Sequence, residues 1–530
     1  MNFFVNATMP KQKSGIEHAQ LKRLALFNEH QTEARLVLCD WDPISHDNLA
    51  AAGVDDAQVI SMFDYFQQAQ HVPATPVYAK DIELGVLNTR LVDDAAQQRY
   101  LVMASNNQLV ARINYYADMA KRVKSVELFD GFNNLYRVDH YDSRGFVSLV
   151  QWYTPDNHIG TEAWLTPTGE TVLEAFYRLT PQGERIKSGW RLAESRGYVH
   201  QFDTLTELQH YFFNQLNNKF WDVQRPNVFI IDRAHLGDWG LKQLDRPAYV
   251  ALHLHNAHTM DAQQPMTAGF NNHYEYALHN INAYDAIIGA TQKQMKDVQA
   301  RLQPHVPLFT IPVGVVPARL LDAQRVPVAA RTFGKMVVFA RIAWEKHLDD
   351  LVRAIAIVHE QIPAVTLDLY GYPDPTDNYK AQRDVQTLIE THHLEQIVTF
   401  KGYTTDLDAV ENDAMMYGLT SRMEGFNLAI MEAISHGLIG FTYDVNYGPN
   451  EIIQDGVNGA VVPYGNYEAL AAAMINVLQD PALAQQYSTG AYESAQRYAP
   501  DTVWAAWSAL LADAQTNWSQ RVPSPVDNHE

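Results

Sequence analysis

The stretch FFVNATMPKQKSGIEHAQLKRLALFNEHQTEARLVLC, Phe3 to Cys39, decides the fold class. Residues 3–5 are an apolar run of strand length and residues 10–14 read as a loop. Residues 15–28 then carry Ile16, Ala19, Leu21, Leu24 and Leu26 at near-helical spacing. A second strand-like run, 34–39, follows. Strand, loop, helix and strand in that order make the unit that builds a parallel sheet, because a crossover helix lets neighbouring strands run the same way.

Outward from this unit the texture changes. From about 80 to 200, short alternating segments at 135–141, 145–153, 161–165 and 171–177 are separated by Asp142-Ser143-Arg144-Gly145, Pro155-Asp156-Asn157 and Pro167-Thr168-Gly169, which read as hairpin turns. This predicts an antiparallel β-meander inserted into the first α/β domain. After about 201 the α/β pattern resumes, with a helix at 205–217 and strands at 228–231, 249–253, 286–289 and 308–311. A linker rich in Pro, Ala and Arg, 315–332, leads into a second α/β unit. Its expected elements are strands 336–340, 366–370, 397–400 and 416–420, helices 348–361 and 381–391, and final amphipathic helices 467–478 and 502–514. The tail, 520–530, reads as frayed.

The expected organisation is an N-terminal Rossmann-like domain in two parts, 1–79 and 201–318, and a meander at 80–200. A second Rossmann-like domain follows at 319–500, and a C-terminal helix and tail at 501–530 cross back. Two such domains suggest a ligand in the cleft that the carboxyl ends of their strands would face.

Composition narrows the function. The 530 residues hold 40 Lys plus Arg against 61 Asp plus Glu, a formal net charge of −21, and 47% are hydrophobic, which excludes disorder as the main state. An acidic chain argues against a general nucleic-acid binder, whose affinity rests on Lys and Arg. The single cysteine, Cys39, excludes an internal disulfide and fits a reducing compartment, so the expected location is the cytoplasm. Apolar runs such as 228–231 and 336–340 fall far short of the ~20 residues a bilayer span needs. The amino terminus lacks the basic region of a signal peptide and reads as a first strand.

Two motifs carry chemistry. In Ser421-Arg422-Met423-Glu424-Gly425-Phe426-Asn427-Leu428-Ala429-Ile430-Met431-Glu432-Ala433, two glutamates stand eight residues apart, the first just before a Gly at the mouth of an apolar helix. With a helix start near Asn427, Glu424 and Glu432 can address one ligand. The free amides of Gly425, Phe426, Asn427 and Leu428 would form an anion- and hydroxyl-binding end. The alternative is a surface capping glutamate with an incidental second one. In Phe339-Ala340-Arg341-Ile342-Ala343-Trp344-Glu345-Lys346-His347, at a strand end, Arg341 and Lys346 could clamp a diphosphate. A salt bridge to Glu345 beside a solvated Lys is the other reading. Asp406-Leu407-Asp408 spells a metal-type D-x-D but reads as helix capping. The basic residues Arg112, Lys121, Arg122 and Lys124 read as a solvated helix face, or as a contact for an anionic polymer.

Taken with Tyr443-Asp444-Val445-Asn446-Tyr447-Gly448-Pro449-Asn450-Glu451-Ile452-Ile453 and the N-terminal K-S-G-I-E-H-A, these motifs resemble the retaining GT-B glycosyltransferases of family four. The resemblance is to the Gram-positive branch that α-glycosylates wall teichoic acid, poly(glycerol-phosphate) or poly(ribitol-phosphate), and to its relatives that modify serine-rich adhesins. It covers nearly the whole chain.

The resemblance implies an α/β GT-B fold and a retaining, metal-independent hexosyltransferase that moves glucose or N-acetylglucosamine from a UDP-sugar to wall teichoic acid hydroxyls. Alternatives are a serine-rich protein acceptor, or a non-catalytic companion subunit. Arg341 and Lys346 would neutralise the UDP diphosphate, Glu432 would hold the ribose, and Glu424 with the amides from Gly425 onward would grip the donor sugar. Gly15 would bring its loop backbone against the phosphates, and His255, within Leu252-His253-Leu254-His255-Asn256-Ala257-His258, would contact the sugar. Retention would proceed by front-face attack, the departing phosphate oxygen taking the acceptor's proton. No cofactor is expected, nor nucleic acid; a homo-oligomer and at most peripheral association with the inner face of the membrane are. Two departures from the family pattern stand out: Asn427 replaces a common Gly, and His436-Gly437-Leu438-Ile439-Gly440 lacks the usual Pro.

Overall fold

The computed structural model describes residues 1–194, 197–241 and 243–522. The expected frayed tail lies almost wholly outside the described residues. The chain divides into two compact units, one of residues 1–13 and 33–248, the other of residues 14–32 and 249–530.

In the first unit four strands run parallel in the order Val59–Ser61, Ala34–Leu38, Asn2–Asn6, Val228–Ile231. Every residue of Asn2–Asn6 and Val228–Ile231 is buried, as expected for parallel strands covered on both faces. Phe3 stacks on Phe229 with ring centroids 4.8 Å apart. The meander expected at 80–200 is a ten-stranded antiparallel sheet whose strands follow one another in chain order from Arg90–Asp94 to Val199–Phe202. Its hairpin tips hold Asn107, Asn133, Asn157, Gly169 and Gly183 at positive φ, the conformation that tight turns demand and that Asn and Gly tolerate best.

A polar anchor joins this sheet to the rest of its unit. Arg144, 4% exposed, pairs with Asp142 at 2.8 Å and Asp64 at 2.9 Å and donates to the Ala69 carbonyl at 2.6 Å. Beside it Gly145 has φ +105°, and a Cβ there would lie 1.8 Å from the Thr75 carbonyl oxygen, so only glycine fits. Gln67 donates to the carbonyls of Ser148 and Leu165 at 2.8 and 2.6 Å.

The second unit holds three parallel strands, Tyr249–Leu254, Ala286–Gly289 and Leu308–Thr310. It also holds a six-stranded parallel sheet in the order Val398–Gly402, Thr366–Tyr370, Lys335–Phe339, Met416–Leu419, Ile439–Tyr443, Gly459–Val462. The helix Leu348–Gln361 buries Leu351, Val352 and Ile355 against this sheet. Within the same unit Phe27, on the helix Gly15–Glu29, packs edge-on against Trp504 and Trp507 of the last helix, Pro500–Arg521.

Three expectations need correction. The basic run lies on β-structure: Arg112 is in the strand Leu109–Tyr116, Arg122 and Lys124 are in Arg122–Phe129, and Lys121 is in the turn between them. Arg112 pairs with Glu127, Lys121 with Asp93 and Arg122 with Asp47, so cross-strand and turn contacts hold these side chains. The helix expected at 381–391 begins at Thr376, through a left-handed turn at Asp377, Asn378 and Tyr379. The linker 315–332 contains the short helix Ala318–Leu321 and the buried Arg331, which donates to the carbonyls of Ala414 and Glu411.

Arg144→Met is expected to lower the unfolding free energy by about 3–5 kcal/mol, because it leaves Asp142 buried without its counter-charge. Urea denaturation measures this, and a loss under about 1 kcal/mol would show that the anchor is not what holds the sheet.

Candidate active site

The six-stranded sheet reverses its order between Lys335–Phe339 and Met416–Leu419, which makes the carboxyl ends of those two strands a topological switch point. Doubly wound sheets hold ligands there, since the two chain exits diverge and leave a crevice. Both motifs singled out in the sequence emerge at this place. From the first strand the chain passes through Arg341 to the 3-10 turn Trp344–Lys346 and the left-handed His347, φ 49°, which opens Leu348–Gln361. From the second it passes through Ser421 to Asn427 and into the helix Leu428–Ser435.

The two exits are tied by charge. Lys346 Nζ lies 2.7 Å from Glu424 Oε1, with side chains 20% and 10% exposed. The same oxygen accepts from Ser421 Oγ at 2.7 Å and Asn427 Nδ2 at 3.1 Å. Asn427 does two jobs, because its Oδ1 also accepts from the Ile430 amide at 3.0 Å and caps the helix. It adopts φ 77°, which Asn tolerates better than most residues, so the replacement of a common Gly keeps the backbone and adds a donor to Glu424.

Close backbone approaches hold this loop. A Cβ on Gly425 would lie 2.1 Å from the carbonyl oxygen of His255, and one on Gly448 would lie 2.1 Å from that of Phe426. The Glu424 amide donates to the Asn446 carbonyl, and its own carbonyl accepts from the Tyr447 amide. Gly425 thus brings His255 to the loop, just beyond the strand Tyr249–Leu254, and the His255 amide donates to Tyr274 Oη at 3.0 Å. The Phe426 side chain is core, edge-on to Tyr498, so its backbone is the part left for a ligand. His258, fully buried and beside Tyr447 with ring centroids 5.8 Å apart, is a packing histidine. Burial, reinforced by the charge of Arg301, pushes its imidazole down to about 4.

The remaining candidates are placed as follows. Glu432 lies on the helix Leu428–Ser435, where Lys22 Nζ of the helix Gly15–Glu29 reaches it at 2.5 Å. Sequence reading missed Lys22, because a helix-surface lysine 410 positions away carries no local signal. Arg341 pairs with Glu345 and, at 2.6 Å, with Asp374, and its side chain is 43% exposed. The bland reading therefore holds for the Glu345 bridge and fails for Lys346, which is paired with Glu424. Gly15 is the first residue of its helix, and nothing lies within 4 Å of where a Cβ would stand. Asp406 caps the helix Leu407–Asp413, as its motif was read, and Asp408 pairs with Arg319. His347, Asp349 and Asp350 cluster closely enough to suggest a cation, but Arg353 pairs with both carboxylates and Tyr443 donates to Asp350, so the positive charge is already supplied.

Comparison with known proteins gives the class. Residues 324–494 match the family described as "Glycosyl transferases group 1". The pneumococcal O-GlcNAc transferase GtfA, solved with UDP and GlcNAc, superposes with a TM-score of 0.79 at 22% identity, over 97% of this chain and 98% of that one. The chain has the GT-B fold, and residues 324–494 within it carry the glycosyl transferase group 1 match. In sequence it is similar to the poly(glycerol-phosphate) alpha-glucosyltransferase of Bacillus subtilis, 24% identical over 96% of this chain and 74% of that protein. It is similar also to the GtfA subunit of the UDP-N-acetylglucosamine–peptide N-acetylglucosaminyltransferase of Streptococcus gordonii, 26% identical over 96% and 98%.

Gly425→Ala is expected to cut transferase activity at least about tenfold, since the displaced loop carries Glu424 and a small misplacement of a positioned group is costly. Activity within twofold of the parent would refute the close-approach account. For His258 the folded value lies below the ordinary one, so its contribution to stability is complete above about pH 6.5 and is lost as pH falls towards 4. His258→Phe should flatten the stability profile in that window, as read by thermal melts across pH; an unchanged slope would assign the loss to other groups.

Proposed function

We propose that this chain is a retaining α-glycosyltransferase that moves glucose or N-acetylglucosamine from a UDP-sugar to hydroxyls of wall teichoic acid, a polyol-phosphate polymer. The observation that carries the reading is the Lys346–Glu424 pair at the switch point of a GT-B glycosyltransferase. Breaking a glycosyl–phosphate bond places negative charge on the leaving diphosphate, and a preset cation there lowers the barrier. Lys346 would supply that cation, exchanging its Glu424 partner for diphosphate oxygens. Arg341, half-exposed beside Glu345 and Asp374, would add its planar fork when the donor enters.

Glu424, freed from Lys346 but still held by Ser421 and Asn427, would accept from hexose hydroxyls alongside the amides of Gly425, Phe426, Asn427 and Leu428. Glu432 would take the ribose hydroxyls, and the open space at Gly15 would let that helix start approach the phosphates. His255 would contact the sugar. With two cations on the diphosphate the scheme needs no metal, and the leaving phosphate oxygen would take the acceptor's proton. A homo-oligomer acting from the cytoplasm, at most peripherally on a membrane, completes the reading; among the described residues no helix is long and apolar enough to cross one.

A peptide acceptor is the second reading. It is favoured by the match to nearly the full length of a peptide-modifying relative. It is favoured also by the insert, where Arg112, Lys121 and Arg122 are each paired with a carboxylate and so offer little to a polyphosphate. A non-catalytic companion would have no need of Lys346, Glu424 and Glu432 together.

Radiolabel transfer from a panel of UDP-sugars to poly(glycerol-phosphate), poly(ribitol-phosphate) and a serine-rich peptide separates these readings. Incorporation into a polyol-phosphate is the expected result, and label in the peptide alone would move the assignment to the second. Lys346→Ala should reduce kcat by about 10²–10³. It should cost only about 1–2 kcal/mol of stability, since Ser421 and Asn427 still satisfy Glu424. Equal loss of turnover and fold would discredit the clamp.

A further inference from the structure

Lys22 has no part in the roles assigned above, yet its ammonium donates to Glu432 Oε1. The two side chains are 24% and 28% exposed, and among the described residues Lys22 is the one cation paired with this acid. What the pair does depends on how firmly each end is held and on what it leaves free.

Both ends stand on helices fixed by packing. In Gly15–Glu29, Phe27 meets Trp504 and Trp507 edge-on and Arg23 lies over the Trp507 ring at 5.2 Å, which holds the helix against rolling. In Leu428–Ser435, Ile430, Met431 and Ile434 are fully buried and Asn427 caps the first turn, so the backbone under Glu432 is set as well.

The carboxylate keeps acceptor capacity. Lys22 takes one lone pair of Oε1, and no side chain among the described residues donates to Oε2, whereas a carboxylate accepts about four hydrogen bonds. Two vicinal hydroxyls can therefore join the lysine without displacing it. Glu424 differs, since its Oε1 already takes three donors.

Spacing on the first helix points the same way. Gly15 and Lys22 stand seven residues apart, close to two turns, so they share one face about 10 Å apart along the axis. The face that would bring Gly15 to the phosphates thus brings Lys22 to the acid that would take the ribose. A partly exposed glutamate without a partner samples several rotamers, and a ligand that needs one of them must freeze it. A side chain already held in place avoids that entropy loss.

We propose that Lys22 is a positioning residue for nucleotide selection: by holding Glu432 in place it sets how strongly the site prefers a ribose with both hydroxyls over a 2′-deoxyribose. The inference rests on the reading that Glu432 takes the ribose hydroxyls of the donor, and the Lys22–Glu432 pair stays closed when the nucleotide is bound.

Calorimetric titration of the full chain with UDP and with 2′-deoxy-UDP tests it. The parent is expected to bind UDP about tenfold tighter, as a hydrogen bond to a charged acceptor gives, and Glu432→Ala to bring the two affinities together. Lys22→Met should reduce the UDP preference about threefold, and Lys22→Arg, which restores a cation, should return it to within about twofold of the parent. Lys22→Gln gives the same readout should the apolar variant not fold. In the Glu432→Ala background, Lys22→Met should change UDP affinity by less than about twofold, because its effect passes through the acid.

Equal weakening of both nucleotides by Lys22→Met, or weakening that persists in the Glu432→Ala background, would assign Lys22 to the diphosphate or to the fold and overturn the proposal. A preference that Lys22→Met leaves intact while Glu432→Ala abolishes it would overturn the proposal and keep the ribose reading. No preference in the parent, or one that survives Glu432→Ala, would overturn the ribose reading itself and the proposal with it.

Discussion

One partly buried carboxylate organises the candidate site. Glu424 Oε1 takes an ammonium and two neutral donors, and each comes from a different local device: Lys346 from a 3-10 turn, Ser421 from a strand exit, Asn427 from a helix cap. A carboxylate at 10% side-chain exposure loses most of its water, and leaving it with no donor at all would cost several kcal/mol, which is why Ser421 and Asn427 matter beside the lysine. Under the proposed function, a donor carrying a diphosphate and a hydroxylated ring would replace the ion pair, the diphosphate taking the lysine and the sugar hydroxyls taking the carboxylate. The resting ion pair would then stand in for the charges of the ligand.

Backbone proximity keeps this arrangement narrow. Gly425 against His255 and Gly448 against Phe426 are approaches that any side chain would abolish, so loops of distant sequence are held at van der Waals contact. The second acid is handled alike. Lys22 sits on Glu432, so both glutamates of the motif rest against a lysine.

Regular elements were legible because periodicity is a local property. The strands Val228–Ile231, Ala286–Gly289 and Thr366–Tyr370 and the helix Leu348–Gln361 stand where the apolar pattern put them. The turn residues likewise marked the meander. The pairing of Lys346 with Glu424, 78 positions apart, was approached only as a shared ligand and not as a direct contact. Lys22 had no signal at all. The basic run was misassigned for a similar reason: Arg112, Lys121, Arg122 and Lys124 straddle a hairpin turn, and charges alone do not distinguish a turn from a helix face. Asn427 looked like a defect in the family pattern until its positive φ and its bond to Glu424 explained it.

The most direct measurement is a crystal structure of the chain with an intact or slowly hydrolysed UDP-sugar. The account predicts Lys346 Nζ within about 3 Å of a diphosphate oxygen, its bond to Glu424 exchanged, and a hexose hydroxyl donating to Glu424. A bound donor whose diphosphate lies away from Lys346, with the Lys346–Glu424 pair still closed, would contradict it.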